Sequence, residues 1–169
     1  EAVDPSTQQP RGWPKAKPAS WPVESGNRFL RLESQVSGQI ENLRLVVPVP
    51  SGVGALELSF RGRVPALVRG EKAWFDARVI VNFKDAAGGL AGSAPPVYFR
   101  DKTADWRSRS ARFLVPEGAV EIEFMPTLFK VRSGVFDLDD IDLRPVDRAS
   151  VEEEVARSRP PRDPAPEAP

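Results

Sequence analysis

An all-β antiparallel sandwich is the fold class this sequence predicts, and three observations predict it. Apolar and polar residues alternate in short runs, as where Leu56, Leu58, Phe60 and Val64 oppose Glu57, Ser59, Arg61 and Arg63. Gly, Pro and Asp residues punctuate those runs as turns. No helical period and no internal repeat appears between the two ends of the chain.

The elements follow in order. Residues 28–33 form the first strand, after the turn-like Ser25-Gly26-Asn27. Residues 39–49 form the next, closed by Pro48 and Pro50, which suit an edge or a strand end. Residues 55–64 alternate cleanly, and residues 73–84 repeat the pattern with Phe75, Ala77, Val79, Val81 and Phe83 facing inward. Residues 106–115, 119–124 and 135–143 complete the set, for a jelly roll of roughly eight to ten strands. This sandwich occupies residues 1–146. Residues 147–169 read as a short helix and a Pro-rich tail: Ser150 is its expected N-cap, Glu153 completes a capping box, and the segment starts a tether. Of 18 prolines, five lie in the first 22 residues and five from Pro160 to Pro169.

Composition excludes several functions. Lys+Arg and Asp+Glu are 24 each, so no net charge directs the chain to nucleic acid or to an anionic membrane, and no run approaches a membrane span. Histidine and cysteine are absent, which rules out a Ser-His-Asp triad, a Cys nucleophile, a His/Cys zinc site and disulfides. Gly88, Gly89 and Gly92 lie in a turn-rich loop without the strand-loop-helix context that a phosphate site needs. Arg107, Arg109 and Arg112 near Trp106 read as a solvated strand face.

Asp137, Asp139, Asp140 and Asp142 crowd the last strand, and half-buried carboxylates must be paired or bind a cation. Alternation puts Asp140 on the face of Phe136 and Leu138, with Asp137 and Asp139 on the other. A Ca²⁺ site and pairing with Arg132 or Arg144 both remain open at this point. Glu121 and Glu123 share a strand face at about 7 Å, near glycosidase carboxylate spacing. No third acid follows, because Met125 and Pro126 come next, and a solvated outer face opposite Val120, Ile122 and Phe124 is the better reading.

Spread along the core, several segments resemble the jelly-roll carbohydrate-binding modules of families four, nine, sixteen and twenty-two, which accompany bacterial glycoside hydrolases. They are Gly12-Trp13, Gly26-Asn27-Arg28-Phe29-Leu30-Arg31-Leu32, Gly70 with Trp74-Phe75-Asp76-Ala77-Arg78-Val79, Asp105-Trp106, Val115-Pro116-Glu117-Gly118-Ala119, and Phe136-Asp137-Leu138-Asp139-Asp140. The resemblance implies a structural calcium joining the N-terminal segment to the last strand, with Glu1 and Asp140 as ligands. It also implies that Trp106 packs in the core and that the chain binds polysaccharide or oligosaccharide without catalysis. The module would target a covalently tethered glycoside hydrolase to plant or algal polysaccharide, in a bacterial secreted, periplasmic or cell-surface setting.

Sugars stack their C–H faces on aromatic rings and need planar polar partners for their hydroxyls. Trp74, Tyr98 and Trp21 are the expected platform, and Arg78, Asn82 and Arg61 the expected polar contacts. Trp13 is expected to pack beneath the N-terminal arm. Two rivals stand beside this reading: a structural jelly roll packed against a catalytic domain without sugar affinity, and a small jelly-roll glycosidase or lyase acting through Glu121 and Glu123.

Overall fold

The computed structural model describes residues 3–5 and 9–158. Thirteen strands and one helix run in the order β1 (Ala19–Ser20), β2 (Val23–Glu24), β3 (Asn27–Arg28), β4 (Leu30–Ser34), β5 (Ile40–Asn42), β6 (Leu45–Pro48), β7 (Ala55–Val68), β8 (Ala77–Asp85), β9 (Leu90–Ser93), β10 (Val97–Phe99), β11 (Thr103–Leu114), β12 (Ala119–Phe129), β13 (Ser133–Pro145) and α1 (Arg148–Ser158). One sheet has the order β1-β4-β13-β7-β11; the other runs β10-β8-β12-β5, with β6 also on β12 and β9 on β8. Every pairing between these strands is antiparallel. The expected jelly-roll sandwich is the fold observed.

Alternation builds the core. Leu56, Leu58, Phe60 and Val64 from β7 meet Ala77, Val79, Val81 and Phe83 from β8, with Ile122, Phe124 and Leu128 from β12 and Phe136 and Leu138 from β13. Burying each large side chain is worth about 1.5–3 kcal/mol, so the facing stripes hold the two sheets together.

The departures from the expected pattern have local causes. The 39–49 segment breaks into β5 and β6 because Leu43 turns into the core and bonds its N–H to the Pro126 carbonyl. The strand expected over residues 119–124 runs on to Phe129 with Pro126 inside it, opposite that break, where no ladder hydrogen bond is asked of the proline. β8 begins only at Ala77, so Phe75 lies in the preceding loop and does not join the inward set. In β12 the register passes from Ala119↔Asp85 to Glu121↔Lys84; the extra residue is Val120, which is exposed rather than inward. β13 has a like insertion: Asp139 pairs with Arg61 and Asp142 with Ser59, leaving Asp140 in the bulge at φ +48°.

That bulge overturns the inward placement of Asp140, whose side chain is 65% exposed. Asp137, on the opposite face from Phe136 and Leu138 as alternation requires, is fully buried instead. Arg31 and Arg63 enclose it, with Nε contacts of 2.7 and 2.8 Å. Trp106 stays out of the core: its ring packs on Phe29 at 5.3 Å, with the Arg63 guanidinium 4.5 Å from its centroid.

The helix also starts earlier than expected. Asp147 caps it by accepting the Ser150 N–H at 2.8 Å, and Ser150 accepts from Arg112. Val151 is buried and Glu154 pairs with Arg112 of β11, so this segment docks on the sandwich instead of leaving it. Residues 159–169, the expected Pro-rich tail, lie outside the described residues.

Candidate functional site

Two adjacent features place the candidate site at the start of β8. The loop between β7 and β8 folds back through Phe75 N–H to the Lys72 carbonyl (2.9 Å) and Gly70 N–H to the Phe75 carbonyl (3.3 Å). The β12–β13 turn, with Lys130 at φ +50°, comes up against it. A Cβ on Gly70 would lie 2.2 Å from the Lys130 carbonyl and 2.7 Å from the Phe75 ring, so only glycine permits this approach.

The closure gathers aromatic rings around one arginine. Trp74 lies 6.0 Å from Phe75, and Phe75 lies 5.7 Å from Phe129, each edge to face. On β8, Arg78 is in register with Tyr98 of β10 and with Thr127 of β12. Its guanidinium carbon is 4.6 Å from the Phe129 centroid and 4.9 Å from that of Tyr98. Arg78 also donates to the Trp74 carbonyl. Arg100 lies 4.8 Å from the Tyr98 ring, Lys72 5.9 Å from Trp74 and Lys130 5.6 Å from Phe75. Trp74 is 57% exposed and Tyr98 40%. Beside Tyr98 a cleft of about 620 Å³ runs between β10 and β11, lined by Phe99, Arg100, Arg109 and Pro96 among others.

Asp76 organises this cluster from beneath. Fully buried, it accepts Arg78 Nε at 2.8 Å, and Arg100 Nε is 3.6 Å from its other oxygen, which has no hydrogen bond. Burial pushes the Asp76 carboxyl above its ordinary value, against the opposing pull of Arg78.

Three of the expected residues, Trp74, Tyr98 and Arg78, therefore meet. Asn82 shares the outer face of β8 with Arg78 but lies about 13 Å further along it, and its amide oxygen accepts from Ser93 at 2.7 Å. Trp21 belongs to another place. It packs on Trp13 at 5.2 Å, and Trp13 in turn packs on Phe124 at the margin of the core. Arg61 is on the other sheet and donates to Asp139 at 2.8 Å. Reading the sequence missed Phe75, Phe129, Lys72, Lys130, Arg100 and Asp76 as site residues. Drawing the strand from residue 73 sent Phe75 inward, and ending the next at residue 124 omitted Phe129.

Glu121 and Glu123 lie in different settings. Glu121 is exposed, whereas Glu123, though on the outer face, is only 4% exposed and paired with Arg44. Glu1 lies outside the described residues. Asp140, the other expected calcium ligand, has Arg61 Nε 2.7 Å away, without the geometry of a hydrogen bond. Among the described residues no group of three or more Asp or Glu could hold a metal. The described residues do not fit the calcium site: Asp139 accepts from Arg61 and Asn27, and the same guanidinium stands against Asp140. No described helix is long and apolar enough to cross a membrane.

No protein-family model matches the sequence, and no curated protein matches it. Solved structures do match the fold. A family 16 carbohydrate-binding module superposes with a TM-score of 0.53 at 20% identity, covering 79% of this chain and 91% of that one. The CBM22-1 xylan-binding domain of Paenibacillus barcinonensis Xyn10C gives 0.54 at 15% identity, over 87% and 90%. The enzymatically active domain of bacteriophage CBA120 tailspike protein 4 gives 0.63 at 11% identity over 80% of this chain; the match spans only a fifth of that longer chain. The shared fold is the jelly roll of carbohydrate-binding modules.

Proposed function

We propose that this domain binds carbohydrate without catalysis, through the aromatic cluster at the start of β8 and the outer face of the six-stranded sheet. The observation that carries the reading is the exposure of Trp74 and Tyr98 on either side of Arg78, which contacts the Trp74 carbonyl and the Tyr98 ring and is anchored by a buried carboxylate. The exposed indole offers a flat face on which pyranose C–H groups can stack. Arg78 and Asn82 supply donors and acceptors along the same face. The folds of the family 16 and family 22 modules support the reading.

The role that fits such a module is to hold a covalently joined glycoside hydrolase on plant or algal polysaccharide, in a bacterial protein working outside the cytoplasm. Tethering raises the local substrate concentration without adding contacts at the active site. Affinity electrophoresis against glucans, xylans, mannans and galactans tests the reading. Retardation by at least one polymer, lost in Trp74→Ala with an unchanged melting temperature, is the expected result; no retardation by any of them overturns it.

A further inference from the structure

We infer that the glycan taken by this site is a polyanion, a polysaccharide bearing carboxylate or sulfate groups on its rings; the inference rests on the carbohydrate-binding reading above. Its basis is a local charge imbalance in a chain whose totals cancel at 24 against 24. On the outer face of the five-stranded sheet the arginines are matched. Arg31 and Arg63 share Asp137, Arg61 meets Asp139 and Asp140, and Arg144 meets Glu57. Around the aromatic cluster the matching fails. Lys72, Arg78, Arg100, Arg109 and Lys130 contribute five cations, and among the described residues the one carboxylate in an ion pair with any of them is the buried Asp76.

Lys72, Lys130 and Arg109 make no ion pair among the described residues; each instead has an aromatic ring within 6 Å. Nearby acids correct the balance only in part: Asp101 is engaged by Arg69 at 3.7 Å, and the exposed Glu71 offsets one of the remaining cations. These cations form a path from Trp74 past Tyr98 into the cleft beside β10, flanked throughout by rings. A neutral sugar would use the rings and leave the charges idle. A ring carboxylate or sulfate would use both, because guanidinium groups bind such oxyanions bidentately while the sugar face covers an aromatic.

The test is calorimetric titration of the whole chain with polygalacturonate, a sulfated galactan, neutral β-glucan, xylan and oligo-dT. Expected is binding of a polyanionic glycan, weakened roughly tenfold between about 0.05 and about 0.5 M salt. Exchange of the exposed Arg100→Gln and Lys72→Gln should each lower that affinity, by about tenfold for the arginine, with melting unchanged. Preference for polygalacturonate over the sulfated galactan identifies the group as carboxylate, and the reverse as sulfate. A neutral glucan or xylan bound as tightly, without salt dependence, overturns this inference and leaves the carbohydrate-binding reading intact. Failure of every polysaccharide overturns both. Oligo-dT binding as tight as the best glycan overturns the inference in favour of a nucleic-acid surface.

Discussion

Asp76 and Arg78, two residues apart, form an ion pair of 2.7–2.8 Å in which the carboxylate is fully buried while the guanidinium reaches up among the rings of Phe129 and Tyr98. The pair fastens the candidate site to the sheet. Removing one partner strands the other: Asp76→Ala is expected to cost about 3 kcal/mol, the usual penalty for an orphaned buried charge, and to abolish ligand binding. Chemical denaturation combined with affinity electrophoresis checks both effects. A stable variant that binds normally would show that Arg78 needs no anchor.

The same carboxylate makes stability depend on pH in a defined direction. Burial holds the folded Asp76 above its ordinary 3.8, so the native state keeps this proton more tightly than the unfolded chain. Its stabilising contribution is therefore fully present below pH 3.8 and is lost as pH rises through the elevated folded value. Melting curves from about pH 3.5 to 6 should show this fall in the native chain and a flatter profile in Asp76→Asn. Parallel profiles for the two proteins would contradict the linkage.

Gly70 is expected to tolerate no side chain. In Gly70→Val the new Cβ meets the Lys130 carbonyl at 2.2 Å, so the β7–β8 loop must lift and carry Trp74 and Phe75 with it. Overpacking of this kind costs about 1–3 kcal/mol. The tryptophan emission should shift and glycan affinity fall together. An unshifted emission with native affinity would mean that the loop is held in place elsewhere.

On the other sheet, Asp137 and Asp140 should behave oppositely. Asp137→Ala leaves Arg31 and Arg63 without their buried partner and is expected to destabilise by about 3–5 kcal/mol. Asp140→Ala removes only an exposed contact to Arg61 and should change stability by about 0.5 kcal/mol or less. Chelator should leave the melting temperature unchanged, given the poor fit of these residues to calcium. A large chelator effect, or a costly Asp140→Ala, would restore the metal site.

The helix sets the last expectation. Val151→Asp should destabilise the domain, and a chain ending at residue 146 should melt lower than one ending at 158. Both changes expose the β11 surface that Val151, Glu154 and Ser150 cover. Equal melting of the two truncated chains would return the helix to the tether.

Much of the architecture was legible because alternation is a local signal. Leu56 to Val64 and Ala77 to Phe83 announce their buried faces through the two-residue period of an extended chain, whatever their partners. The site was legible only in part. Trp74, Tyr98 and Arg78 are legible, but a strand ending at residue 124 leaves Phe129 out, and Trp21 packs in a different cluster. A proline is acceptable inside β12 only because the neighbouring strand breaks at Leu43, and nothing local to Pro126 records that.

By itself, then, the sequence determined the jelly-roll class, the facing stripes of the core, and the exclusion of thiol, imidazole and disulfide chemistry. Tertiary structure alone decided which charges are matched. Asp140 is turned out by a single inserted residue in β13, Asp137 is buried by Arg31 and Arg63 from two other strands, and whether Lys72, Arg100 and Lys130 share a surface turns on a loop closing over Gly70. Periodicity reports the orientation of a residue relative to its neighbours in the chain. Charge compensation depends on residues far apart in sequence, as where Arg31 meets Asp137 across 106 positions, and is settled only when the sheets assemble.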